Sequence, residues 1–291
     1  MIVEHWSERF KSLYSSSWPE NYCVVDCEYT GGNEEVDVVT GIGHLLVENG
    51  KPVDHLSLVL DWTHHPIVPA DWLQHALRRV TLNMANSGRV FHTDWDGMQR
   101  DGIAPEKALT FYYDLFEAVK ARGGMFVAHN GFYADERMLR GNFEGFIGKT
   151  FRFGENRLFD TGAIEKASLA LVSSDPAIRE RRDVWLPNDN DTMETYFRRV
   201  TGAHAKGLFW NLSDTIRRHG LHTRHNLDLD KAHAAGFDVQ LVYHLMEHYR
   251  ELAAAKSGER IDSSAEFAKM FEKHVPVMQQ RAARQRGQRP I

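Results

Sequence analysis

Cysteine is nearly absent from this 291-residue chain, which has only Cys23 and Cys27. Both fall in a stretch that reads as a strand, where a separation of four residues puts their Cα atoms roughly 13 Å apart, too far for a disulfide. They also lack His or Cys neighbours at ligand spacing, so they read as small apolar fillers on the far face of the strand rather than as a zinc site. Long hydrophobic runs are missing too. The opening MIVEHWSERFKSLYSSSW is broken by Glu4, Glu8, Arg9 and Lys11 and lacks the uninterrupted apolar segment a signal peptide needs, and no later segment approaches membrane-spanning length. The expectation is a cytoplasmic enzyme with no membrane partner. There is no excess of basic charge either: a formal net charge of −5 argues against a protein that coats nucleic acid through widespread Lys and Arg. It leaves room for an enzyme acting on nucleic acid, because metal ions can neutralise acidic residues where phosphate docks. No internal repeat is visible.

What is present is enough apolar content, 42%, for a sizeable core. The run YCVVDCEY at 22–29 reads as a strand between Pro19 and the turn residues Gly31, Gly32 and Asn33. Alternation puts Val24, Asp26 and Glu28 on one face. Strands around 36–47 and 53–60 flank Asn49-Gly50, a strong hairpin signal, so three antiparallel strands open the fold. Helical patterns follow at 70–82 and 105–120, the second starting with Pro105 and Glu106 as helix starts favour. The apolar MFVA at 125–128 reads as a buried strand, followed by a helix near 135–139, a short strand near 158–160 and a helix over 162–171. Strand, helix, strand, helix adds a parallel part to the antiparallel one. Helices near 193–200 and 212–218 precede a long last one from about 232 to 255. Residues 173–191, rich in Pro, Asp, Asn and Arg, read as a surface insertion within one domain spanning 21–255. An N-terminal extension, 1–20, is expected to be helical, and a C-terminal extension, 256–291, carries Arg281, Arg284, Arg286 and Arg289 in a basic tail that reads as solvated chain, with a loose phosphate-binding or partner-docking arm as the sharper alternative.

The chemistry is carried by carboxylates. Asp26 and Glu28 on one face of an apolar strand would repel each other if both stayed ionised, and a divalent cation between them is the economical remedy, because hard cations take oxygen ligands. Asp238 shares a helical stripe with Val242, Leu245, Tyr249 and Leu252 and is thereby aimed at the core, where an unpaired carboxylate calls for a cation, a helix N-terminus or strong donors. His233 precedes Asp238 by five residues, roughly 140° apart on a regular helix, so joint action requires His233 to sit in the preceding loop or first turn. Asp135 follows a buried strand and the turn His129-Asn130-Gly131, the strand-to-helix placement where α/β proteins present ligands. Helix capping is the plainer alternative for Asp135 and Asp238. The histidines 219, 222 and 225 lack the close pairing of a helical zinc site, which makes a zinc hydrolase the weakest of the readings.

Four segments in order resemble the DEDDh exonuclease family. VVDCEYTGG at 24–32 resembles its DxETTG motif; AHNGFYADERML at 128–139 looks like HNxxFDxxxL; LFDTG at 158–162 is similar to the short DT strand; HAAGFD at 233–238 matches HxxxxD. The second motif carries one extra residue before its aspartate, although Asp135 keeps the family distance to Leu139, and Tyr29 replaces the first threonine of the TT pair. The resemblance implies an α/β, RNase H-like fold with a mixed five-stranded sheet, three antiparallel then two parallel strands, flanked by helices. It implies 3′→5′ hydrolysis of phosphodiester bonds in DNA or RNA with two Mg²⁺ or Mn²⁺. Asp26 would bridge the metals, Glu28 and Asp238 would complete one site, Asp135 would support the other, and His233 would serve as general base. Cys27, Tyr29, Thr30, Asn130 and Phe132 are the implied contacts to the terminal nucleotide. The expected partner is single-stranded or 3′-end DNA or RNA, with a homodimer or a polymerase as further candidates. The alternative is an inactive exonuclease-fold scaffold that binds nucleic acid or a polymerase.

Overall fold

A computed structural model describes residues 2–14 and 18–257. The basic tail read from the sequence lies outside the described residues. Five strands form one sheet: β1 (Tyr22–Tyr29), β2 (Val39–Glu48), β3 (Lys51–Val59), β4 (Met125–Ala128) and β5 (Leu158–Asp160), in the order β3-β2-β1-β4-β5. β1, β2 and β3 are antiparallel neighbours, while β4 runs parallel to β1 and β5 parallel to β4. This is the expected α/β sheet.

Local chemistry explains the strand ends. Glu48 faces Lys51, leaving Asn49 and Gly50 as a two-residue loop with φ of 51° and 72°. Two successive positive φ angles match the twist of flanking strands, and Asn-Gly tolerates them at little cost. β2 starts at Val39 rather than near Val36, because Asp37 closes the preceding turn. Its carboxylate accepts from the Thr30 hydroxyl at 3.1 Å and from the Asn33 N–H at 2.9 Å.

Helices pack on both faces. On the face carrying Cys23, Val25 and Cys27 lies an aromatic core of Tyr112, Phe116, Phe126, Phe143, Phe151 and Phe153, drawn from the Pro105–Ala121 and Asp135–Ile147 helices, β4 and the loop before β5. Both cysteines are buried and free. The other face is covered by the last helix, Ala235–Ser257. It is buried nearly all round over 238–249, because it lies between the sheet and the helices Ile2–Tyr14 and Leu212–Arg218. Leu252, placed on the core stripe by periodicity, is exposed beyond the end of this cover.

The N-terminal helix, Ile2–Tyr14, buries Trp6 and Phe10 against Tyr196, Phe197 and Phe159. The segment read as a surface insertion forms two short helices, Pro176–Arg179 and Arg182–Trp185, and is tied down by Trp185, which is fully buried and whose carbonyl accepts from the Tyr196 hydroxyl at 2.9 Å. A short helix, Trp95–Asp101, was not anticipated. Among the described residues, no helix is long and apolar enough to cross a membrane.

Candidate active site

The acidic cluster is assembled where β1 meets the start of the last helix. On β1, Asp26 pairs with Gly43 and Glu28 with Gly41 of β2, so the strand beside the two carboxylates presents no side chains on their face. That bare patch has a function. A Cβ on Gly43 would stand 2.4 Å from the carbonyl oxygen of Ala235, and one on Gly236 would stand 2.6 Å from Cβ of Ser57 on β3. Glycine on both sides lets the first turn of the last helix rest directly on the sheet, which delivers Asp238 to the Asp26/Glu28 face.

His233 sits just outside that helix in a left-handed conformation, φ 70°. The helix begins at Ala235 rather than near Ala232, which frees His233 from the 140° separation that regular helix would impose. Its backbone N–H donates to Asp238 Oδ2 at 3.1 Å, so one oxygen of Asp238 caps the chain reversal. The other oxygen is buried without a partner, as are His233 Nε2 and Asp26 Oδ2. Glu28, His233 and Asp238 each offer a ligand atom within 4.8 Å of the others. Asp135 enters from the first turn of the Asp135–Ile147 helix; it is buried, and its Oδ1 accepts from the Cys27 N–H at 3.1 Å.

The electrostatics identify Asp26 as the centre. Burial is the largest cause of the raised pKa of all four carboxylates, and it lifts Asp26 to about 7. For Glu28, Asp135 and Asp238, the negative charge of Asp26 is the next cause, and it pushes each well above the usual carboxylate range. Burial holds His233 down at about 4, with Arg89 and His92 adding to the effect. Its imidazole is therefore neutral near neutral pH, where the sequence alone suggested a side chain titrating there. Mutual repulsion, three orphaned buried atoms and an oxygen-rich donor set all fit divalent cations.

These groups line one cleft of about 500 Å³, together with Cys27, Tyr29, Gly31, Asn130 and the segment Leu208–Leu212. Two of the expected nucleotide contacts are located elsewhere. Thr30 is fully buried, its hydroxyl donating to Asp37 and accepting from the Val38 N–H at 3.0 Å, so it builds the loop after β1. Phe132 is buried against Phe197 and under the Arg198 guanidinium, outside the cleft lining. Its aromatic bulk is worth more in the core than at a wet surface.

Sequence reasoning missed the residues that hold the cleft in shape. Asp160, with no exposed surface, accepts from the backbone N–H groups of Asn130 (2.8 Å), Phe132 (3.3 Å) and Ala163 (3.1 Å). It pins the turn leading to Asp135 and caps the next helix. His129 Nε2–H donates to the Trp210 carbonyl at 2.8 Å, leaving Nδ1 facing the Thr161 hydroxyl at 3.0 Å. Burial holds this ring neutral, at about 4. The signals were present in DTG and HNG, but neither specifies a partner eighty residues away.

No family model matches the chain, and no curated protein matches it. Solved structures do. A crystal structure of E. coli exonuclease I in complex with a dA16 oligonucleotide superposes with a TM-score of 0.52 at 12% identity, covering 81% of this chain and 42% of that one. A second exonuclease I structure gives 0.52 and 12%, covering 80% and 41%. The E. coli enzyme with a 5cy-dA13 oligonucleotide gives 0.50 and 11%, covering 80% and 40%. The chain thus spans about two fifths of the length of those proteins, and what it shares with them is the fold, an RNase H-like mixed five-stranded sheet with its flanking helices.

Proposed function

We propose that this protein is a metal-dependent 3′→5′ exonuclease that hydrolyses phosphodiester bonds at single-stranded 3′ ends and releases nucleoside 5′-monophosphates. The observation that carries the reading is the convergence of Asp26, Glu28, Asp135 and Asp238 from three separate elements on one cleft, with His233 Nε2 bare beside them. An ordinary core would not gather four carboxylates without counter-charge, because each would have to be neutralised or would destabilise the fold. The dA16 and dA13 strands held by exonuclease I support a single strand as the substrate class.

Asp26, Glu28 and Asp238, with Asp135 on the β4 side, would hold two Mg²⁺ or Mn²⁺. Bound there, the cations supply an activated water and charge stabilisation for the leaving oxygen. The chain's own residues do the rest. Neutral His233 accepts the water proton at Nε2, held beside Asp238 by its left-handed position outside the helix and by its backbone N–H to Asp238 Oδ2. Asp160 and the Cys27 N–H fix Asp135, while Tyr29 and Asn130 shape the wall met by the terminal nucleotide.

The test is digestion of end-labelled single-stranded DNA and RNA oligonucleotides by the purified protein in Mg²⁺ or Mn²⁺, with Asp26→Asn as control. Mononucleotides released from the 3′ end and lost in the variant are expected. If every strand stays intact with either metal, the reading is wrong.

A further inference from the structure

Arg89 is the single lysine or arginine among the described residues that line the acidic cleft. Other arginines around it are occupied: Arg79 pairs with Asp37, Arg137 and Arg140 with Glu34, and Arg198 with Glu136. Arg89 is exposed, and no carboxylate among the described residues pairs with its guanidinium.

Its position is built rather than incidental. The Ala70–Asn86 helix ends with Gly88 at φ 70°, the Gly88 N–H donating to the Ala85 carbonyl at 3.0 Å and the Arg89 N–H to the Met84 carbonyl at 2.9 Å. This is the paired hydrogen-bond pattern of a Schellman stop, and it fixes where residue 89 leaves the helix. Three residues on, His92 Nε2–H donates to the Ala232 carbonyl at 3.0 Å, tying the turn to the backbone beside His233. The backbone of Arg89 is thereby fixed beside the cleft it lines, next to the segment that carries His233.

From this placement we infer that Arg89 binds a backbone phosphate of the incoming strand, a direct cationic contact in a cleft whose floor is acidic. The inference rests on the nuclease reading for its substrate class, a polyanionic single strand, but concerns binding rather than hydrolysis. An arginine fork suits phosphate oxygens, and a cation in the same cleft as the carboxylates would give the strand a second, metal-independent anchor.

The experiment measures equilibrium binding of a fluorescent oligothymidylate with phosphorothioate linkages, which keep the charge and resist cleavage, across a potassium chloride series in Mg²⁺. Arg89→Ala should weaken binding severalfold at low salt and flatten the slope of log affinity against log salt by about 0.7, the contribution of one single-strand phosphate. Arg89→Lys should restore most of the slope. An unchanged slope in Arg89→Ala overturns the inference, as does a change confined to Mg²⁺ affinity, which would mean that Arg89 only balances the carboxylates. If an unmodified oligonucleotide is left uncut while the slope still flattens, the exonuclease reading fails and this one stands; cutting with an unchanged slope does the reverse. Absence of binding by the unaltered protein removes both.

Discussion

Adding one methyl group to β2 should disable the site while leaving the fold in place. In Gly43→Ala the new Cβ would meet three backbone atoms: the Ala235 oxygen at 2.4 Å, the Ala235 carbon at 2.6 Å and the Gly236 nitrogen at 3.0 Å. None is the end of a flexible side chain, so the first turn of the last helix must retreat by about 1 Å to reach ordinary contact. Overpacking of this kind costs about 1–3 kcal/mol. For a domain of this size that lowers Tm by roughly 2–12 °C. Asp238 lies three residues along that turn, and a shift of about 1 Å in a reacting group costs about 100-fold in rate. The assay is kcat/KM for oligonucleotide hydrolysis beside a thermal melt. Gly41→Ala is the control, since its Cβ would find only ordinary contacts, 3.7 Å to Glu28 Cβ and 3.8 Å to the Leu58 oxygen. Gly43→Ala activity indistinguishable from that of Gly41→Ala would refute the argument that close helix–sheet contact places Asp238.

Chelator-treated protein should gain stability on adding Mn²⁺, about 2.7 kcal/mol at a hundredfold excess over Kd; a melt that does not respond, or one that responds equally in Asp26→Asn, contradicts the metal site. Asp160→Asn can no longer accept from all of the Asn130, Phe132 and Ala163 N–H groups, so it should cost about 1–3 kcal/mol in a urea titration and lower activity through a displaced Asp135. His129 gives a pH signature: with a folded value of about 4 against an ordinary 6.5, the unfolded chain takes up a proton that the native state refuses. Its stabilisation is complete above 6.5 and is lost as pH falls towards 4, at most about 3 kcal/mol. Urea titrations near neutrality and at mildly acid pH should show a smaller acid loss in His129→Gln than in the unaltered chain; equal losses would show that the ring is not held neutral.

Several features were legible locally. The alternation of YCVVDCEY placed Asp26 and Glu28 on one face, and Asn49-Gly50 marked the hairpin between β2 and β3; the alignment of Gly43 with Asp26 and Gly41 with Glu28 belongs to the separate pairing of β1 with β2. The five-residue step from His233 to Asp238 required a break from helical geometry, and the chain breaks there with φ 70°. Other features were only partly legible. Composition made 173–191 look like surface, and most of it is exposed; what composition did not show is that Trp185 anchors it in the core. Thr30 and Phe132 sit in motif-like segments, yet each is used by the scaffold.

The division follows from the range of the forces involved. Strand alternation, turn chemistry and helix starts depend on residues a few positions apart, so the order of the five strands and the three segments that carry the acids could be read locally, while the short helices such as Trp95–Asp101 could not. Which acids meet, and how closely, depended on contacts between residues far apart in the chain: Gly43 beneath Ala235, Asp160 holding Asn130, His92 reaching Ala232. Such contacts are set by steric fit and desolvation in the packed molecule. Only the tertiary structure could turn Asp26 into the charge that its three neighbours share and leave Arg89 free at the edge of the cleft.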